Sequence, residues 1–153
     1  MELTDVVKHK RIFIDTAPLI YYIEDTHESY SKALDIFFEL NSKMQVQLTT
    51  STISLLEVLV IPLKTKNFEL AEKYKFLLCQ SNTFKVWNVD VEISAKAAEL
   101  RAKYRLKTPD AIQVATAICS SSDYFLTNDK QLKIVSELRL LILDELIDNF
   151  PNR

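Results

Sequence analysis

Glycine is absent from all 153 residues, although a chain of this length ordinarily carries about ten, at roughly 7%. P-loops, dinucleotide-binding fingerprints and glycine-clamped RNA modules all need backbone that approaches phosphate more closely than a Cβ allows, so those chemistries are excluded. Cysteine is nearly as scarce. Cys79 and Cys119 sit in apolar helical patterns and read as two small buried hydrophobes rather than a disulfide or metal pair, as expected in a reducing compartment. The two histidines, His9 and His27, lie apart from any motif and read as solvated surface residues. No apolar run reaches membrane-spanning length. Met1 to Arg11 carries Asp5, Lys8, His9, Lys10 and Arg11 without an apolar stretch, so neither a signal peptide nor a membrane anchor is expected, and the expected location is the cytoplasm. An excess of positive charge is also missing. With net charge −2 and pI near 5.7, the chain has no global basic field to attract nucleic acid, which counts modestly against such a partner.

What the sequence does have is 48% hydrophobic and 26% charged residues without repeats, low-complexity stretches or a linker. That composition fits one globular domain over residues 1–153. Arg11 to Asp15 is a short apolar run ending in an acid, followed by helical spacing from Thr16 to Glu24 and again from Glu28 to Lys43. Gln45 to Thr49 alternates like a strand. Ile53 to Leu63 predicts a buried helix broken near Pro62, with a further helix from Phe68 to Cys79 and a strand from Phe84 to Val89. Val91 to Tyr104 and Pro109 to Cys119 predict two helices, the second with Thr108 as N-cap and Pro109 at its first position. Short strands at Asp123 to Leu126 and Arg139 to Leu143 precede a last helix at Asp144 to Phe150. Strands separated by helices imply right-handed crossovers, hence an α/β fold with a mostly parallel sheet covered on both faces.

Three acids stand where the pattern says core. Asp15 is the only charge from Ile12 to Ile23, Glu57 the only one from Met44 to Leu63, and Asp110 the only one from Thr108 to Ser122. Ionised carboxylates are costly to desolvate unless matched by a partner or a metal, and these segments contain no Lys or Arg. Asp15 also fits as the cap of the helix beginning at Thr16, and Asp110 as an acid favoured by a helix N-terminus. Glu57, flanked by Leu55, Leu56, Val58 and Leu59, has only an ion pair as its ordinary explanation. Asp129, after the strand ending at Leu126, reads singly as a loop or cap acid. In an open parallel sheet, however, the crevice lies beyond the carboxyl ends of the strands, where strand order reverses, and all four acids fall on elements that lead there. Carboxylates that close repel unless a cation neutralises them, and an oxygen-only donor set suits Mg²⁺ or Mn²⁺.

At these residues the sequence resembles the PIN-domain ribonucleases, particularly the VapC-type toxins of toxin-antitoxin pairs. The resemblance rests on F-I-D-T-A-P-L-I at Phe13 to Ile20, S-L-L-E-V-L at Ser54 to Leu59, T-P-D-A-I-Q-V-A-T-A at Thr108 to Ala117, and F-L-T-N-D at Phe125 to Asp129. It covers nearly the whole chain, and the order and spacing of the pieces carry more than any one of them. It implies a three-layer α/β/α fold with a parallel sheet in the order 3-2-1-4-5 and a metal-dependent endoribonuclease activity. By motif, Asp15, Glu57, Asp110 and Asp129 would be the catalytic carboxylates, with Thr16 and Thr127 hydrogen-bonding among them. Asp15, Asp110 and Asp129 would form the metal-binding set for Mg²⁺ or Mn²⁺. The first two match positions of direct contact, whereas Asp129, like Glu57, would act through water or a second ion. An RNA substrate, an antitoxin partner and a homodimer are further implications. Two departures are the residues 1–10 ahead of the first strand and the turns without glycine. Arg105 and Lys107 offer local positive charge for an RNA phosphate, or serve as solvated helix-end residues.

Other classes remain as alternatives. A haloacid-dehalogenase-like phosphatase wants a second acid two residues after the first, where Ala17 stands. A receiver domain wants an early acidic pair and a late lysine, which Lys130 matches poorly. A PIN-like domain kept as a non-catalytic protein-binding or scaffold module would show the same pattern with idle acids.

Overall fold

A computed structural model describes residues 1–150. In chain order its elements are α1 (Leu3–Val7), β1 (Arg11–Ile14), α2 (Thr16–Glu24), α3 (Glu28–Ser42), β2 (Gln47–Ser51), α4 (Thr52–Lys64) and α5 (Phe68–Lys75). They continue with β3 (Phe84–Trp87), α6 (Val91–Tyr104), α7 (Thr108–Cys119), β4 (Tyr124–Thr127), β5 (Leu140–Ile142) and α8 (Leu143–Asn149). The strands form one parallel sheet in the order β3-β2-β1-β4-β5, as expected. Phe13 sits level with Thr49 on one side and Phe125 on the other. From the central β1 the chain first builds outward through β2 and β3, then returns to the far side for β4 and β5. The switch point, where an open parallel sheet places its crevice, lies at the carboxyl ends of β1 and its two neighbours.

The alternation of β1 divides the core. Ile12 and Ile14 face α1, α2, α3, α4 and α8 through Val7, Leu19, Leu34, Phe37, Val58 and Leu143. Phe13 faces the opposite way into α6 and α7, among Leu100, Ala111, Val114 and Phe125. The Phe13 and Phe125 rings stack with centroids 5.1 Å apart, tying β1 to β4 beneath the crevice. The sheet's outer strands are both poor templates for further pairing. β3 carries the exposed Lys85, whose Nζ lies 4.3 Å from the centre of the Trp87 ring, and β5 is three residues long.

Several expectations need correction. α1 was not legible, because only Leu3 and Val7 of its five residues are buried. β2 runs two residues later than the alternation suggests, since Gln47 is where pairing with Arg11 begins. The helix expected from Phe68 to Cys79 is regular only to Lys75 and widens into a π-helical turn over Phe76–Gln80. Thr108 is not the N-cap of α7: the Lys107 carbonyl accepts the first helical bond from Ala111, which makes Lys107 the cap. α4 is not a buried helix either. It runs through Pro62 to Lys64, and Leu56, Val60, Ile61 and Leu63 are exposed on its outer face. Cys79 is exposed and Cys119 partly so, both as free thiols.

Six residues with side chains occupy the left-handed region that glycine usually fills: His9, Asp25, Met44, Lys66, Arg105 and Ser121, with φ between 48° and 62°. Asp25 and Arg105 end α2 and α6 in this conformation. Each such residue costs about 1–2 kcal/mol against its right-handed alternative. Met44 and Lys66 are exposed, so little packing is lost on replacement. Met44→Gly and Lys66→Gly are each expected to stabilise by about 0.5–1 kcal/mol after the extra backbone entropy of glycine is subtracted. Urea unfolding of the two variants checks this, and an unchanged or lowered midpoint contradicts it.

Candidate active site

Asp15 follows the last residue of β1 and caps α2. Its Oδ1 accepts the Thr16 N–H at 2.8 Å, and its Oδ2 accepts the Thr127 hydroxyl at 2.7 Å. The helix-cap reading of Asp15 is therefore true, but it uses one oxygen only. Thr127, the last residue of β4, accepts the Asp129 N–H at 3.1 Å on the same hydroxyl oxygen, so one side chain joins two of the acids. Asp129 in turn caps the short 3₁₀ turn Lys130–Ile134 by accepting the Gln131 N–H at 2.9 Å. Glu57, in the second turn of α4, accepts the Thr16 hydroxyl at 2.9 Å. Thr16 and Thr127 thus make the hydrogen bonds expected of them. Asp110 lies in the first turn of α7, where the helix dipole favours a negative charge.

Electrostatics link the four acids in a row. Burial of its carboxyl pushes Asp15 up from the ordinary 3.8 to about 6; the hydrogen bonds from Thr127 and Thr16 pull the other way, and the charges of Asp110 and Glu57 add to the rise. Asp110 is also raised, by burial first and then by Asp129, against a lowering by Lys107. Among the described residues no Lys, Arg or His forms an ion pair with any of the four. Nor are three His, Cys, Asp or Glu side chains grouped closely enough there to hold one ion between them. The chemistry of the donor set still fits a hard divalent cation: oxygen donors only, excess negative charge, and among the described residues no ion pair to neutralise it.

Behind the acids lies a layer of buried polar groups that the sequence did not single out. Gln113, on α7 one turn after Asp110, is 2% exposed. Its Nε2 lies 2.7 Å from Ser54 Oγ and 3.3 Å from Thr16 Oγ1, and its Oε1 accepts the Ser51 hydroxyl. Thr50 Oγ1 stands 2.7 Å from Ser54 and 2.9 Å from the Ile14 carbonyl. The signal was present: Gln113 is the one amide in an apolar run three residues after an acid, and Ser54 stands three residues before Glu57, both spacings placing them on the same helix face. Arg105 and Lys107 are exposed at the α6–α7 junction, with Lys107 close enough to act on Asp110.

The raised value of Asp15 fixes the sign of a pH effect. In metal-free protein the folded chain takes up this proton at about 6 and the unfolded chain at the ordinary 3.8, so the Asp15 contribution to stability falls as pH rises from about 4 through 6. Asp15→Asn is therefore expected to raise Tm by a few degrees at pH 7.5 in EDTA, and the gain is expected to disappear towards pH 4.5. Thermal unfolding across that range checks it; a gain that grows as pH falls contradicts it.

The family model of the PIN domain matches residues 12–138. No curated protein matches the sequence. Among solved structures, VapBC2 from Rickettsia felis, bound to a DNA fragment from its promoter, is similar with TM-score 0.68 and 19% identity over 86% of this chain and 98% of that one. A toxin-antitoxin complex from Klebsiella pneumoniae gives TM-score 0.63 and 24% identity, covering 86% and 97%. VapC20 from Mycobacterium tuberculosis, described as a sarcin-ricin loop cleaving toxin, gives 0.65 and 16%, covering 84% and 98%. At these identities the likeness is one of fold. The family match, by contrast, runs from β1 to the approach to β5 and so contains every element that carries one of the four acids: this chain belongs to the PIN domain family.

Proposed function

We propose that this protein is a metal-dependent endoribonuclease that hydrolyses RNA phosphodiester bonds, and that it acts as the toxin of a toxin-antitoxin pair. The observation that carries the reading is the row Glu57, Asp15, Asp110, Asp129 at the switch point of a PIN domain, negative and, among the described residues, without an ion pair. Within the set Asp15, Asp110 and Asp129, the first two would contact Mg²⁺ or Mn²⁺ directly, and Asp129, like Glu57, would act through water or a second ion. A divalent cation bound there supplies a water of lowered pKa and neutralises charge developing on the phosphate. The chain's own groups do the rest. Thr16 and Thr127 fix the carboxylate oxygens, and Arg105 and Lys107, exposed at the α6–α7 junction, offer local positive charge to an RNA phosphate. RNA is favoured as substrate by the resemblance to the PIN-domain ribonucleases and by the fold shared with VapC20, described as a sarcin-ricin loop cleaving toxin.

An antitoxin or a second copy of the chain is supported by a different feature. α4 and α5 expose Leu56, Val60, Ile61, Leu63 and Phe68, and Phe76 follows them. Exposed apolar side chains clustered on one flank mark protein-protein contact. The described residues include no helix long and apolar enough to cross a membrane, so these side chains are not part of a span.

Labelled single-stranded RNA incubated with the protein in Mg²⁺ or Mn²⁺ is expected to be cut, with EDTA abolishing cleavage and Asp110→Asn lowering it at least a hundredfold, as loss of a charge at a catalytic metal site does. Cleavage that survives Asp110→Asn places the chemistry elsewhere. A folded protein that cuts no RNA moves the reading to a binding module, for which the apolar flank is the evidence. Leu56→Glu with Phe68→Glu is expected to convert a dimer to monomer in sedimentation while leaving the fold intact; an unchanged mass excludes this flank as the dimer contact.

A further inference from the structure

The buried hydroxyls and the amide behind the acids are oriented from two fixed ends, Ser51 and Glu57. The Thr50 hydroxyl reaches two acceptors, the Ile14 carbonyl at 2.9 Å and Ser54 Oγ at 2.7 Å. Ser54 Oγ accepts from Gln113 Nε2 at 2.7 Å. The amide is held in that sense by Ser51, which donates to Gln113 Oε1 while itself accepting the Ile53 N–H at 3.1 Å. The second N–H of Nε2 then points at Thr16 Oγ1. Thr16 accepts it, and its own proton is left for Glu57 Oε1, a carboxylate oxygen that can only accept. Reversing the amide would leave Thr16 donating to Gln113 and facing the Glu57 oxygen with no proton between them at 2.9 Å.

We infer that Gln113 is a positioning residue: through Thr16 it directs a hydroxyl proton at Glu57 and so fixes where that carboxylate points in the crevice. It touches neither substrate nor reacting atoms. Its path to Glu57 joins three elements, α7, α2 and α4, that share few other polar contacts, and it is rooted in the sheet at Ser51 and Thr50. The inference rests on the ribonuclease reading of the acids for its kinetic consequence, but not for its geometry.

The test is a double-mutant cycle in the full chain between Gln113→Met, which keeps the volume and removes the amide, and Thr16→Val, which removes the hydroxyl. Each protein is measured for RNA cleavage and, separately, for Mn²⁺ affinity by titration calorimetry. Gln113→Met is expected to lower kcat about tenfold with KM for RNA within about twofold, the size of one lost directing hydrogen bond. In the Thr16→Val background the same change is expected to cost less than about twofold, because the path is already cut. Mn²⁺ affinity is expected to follow the same non-additive pattern. A Gln113 that only supports the fold would lower Tm while leaving kcat of the folded protein unchanged, or its cost would multiply undiminished in the Thr16→Val background; either result overturns the inference. If the wild type cuts no RNA, the ribonuclease reading fails alone and the Mn²⁺ affinities decide the positioning role; a wild type that binds no Mn²⁺ overturns both.

Discussion

The structure turns on how a carboxylate is kept at the end of a central strand without a cation. Asp15 is placed there by the pairing of β1 between β2 and β4, and its two oxygens are taken by a backbone N–H of α2 and by the hydroxyl of Thr127 at the end of β4. Those bonds offset only part of the cost of withdrawing the carboxyl from water, which is why its proton affinity stays high. The other acids deepen the problem instead of relieving it. A chain that tolerates such an arrangement gives up stability at the spot where a ligand of opposite charge would restore it.

The supporting groups are arranged in depth. Nearest the crevice are two threonines, each serving two acids or an acid and its neighbour's support. Beneath them Gln113, Ser54, Ser51 and Thr50 form a fully paired polar layer set into an otherwise apolar core, with Val58 and Ala111 close in sequence to its members. Buried networks of this kind are costly when one member is unpaired and rigid when all are paired. The rigidity falls on the helices, because α4 and α7 contribute Ser54 and Gln113 to it and α2 joins it through Thr16.

Much of this was legible in the residues. Asp15, Glu57 and Asp110 were conspicuous because each was the lone charge in an apolar stretch, Asp129 only by its place after a strand, and strand-helix alternation pointed to a parallel sheet. The sheet order came from the resemblance, and the structure has that order. What was not legible had physical reasons. Gln113 is uncharged and cost nothing to overlook, since a buried amide is ordinary until its partners are known. α4 looked buried because leucine and isoleucine fill it, yet sequence cannot tell an apolar helix face turned to the core from one left exposed. The π-helical turn after Lys75 and the short α1 depend on tertiary packing that leaves no periodic trace.

The edges of the sheet carry a consequence for how this protein meets others. A partner cannot readily extend the sheet: one border presents a lysine folded over a tryptophan, and the other is too short to template a strand. A protein partner would therefore be directed to the helical flanks, where association depends on side-chain fit rather than on backbone pairing open to any sequence. Such a surface discriminates among partners, since a mismatched helix has no ladder of main-chain bonds to fall back on.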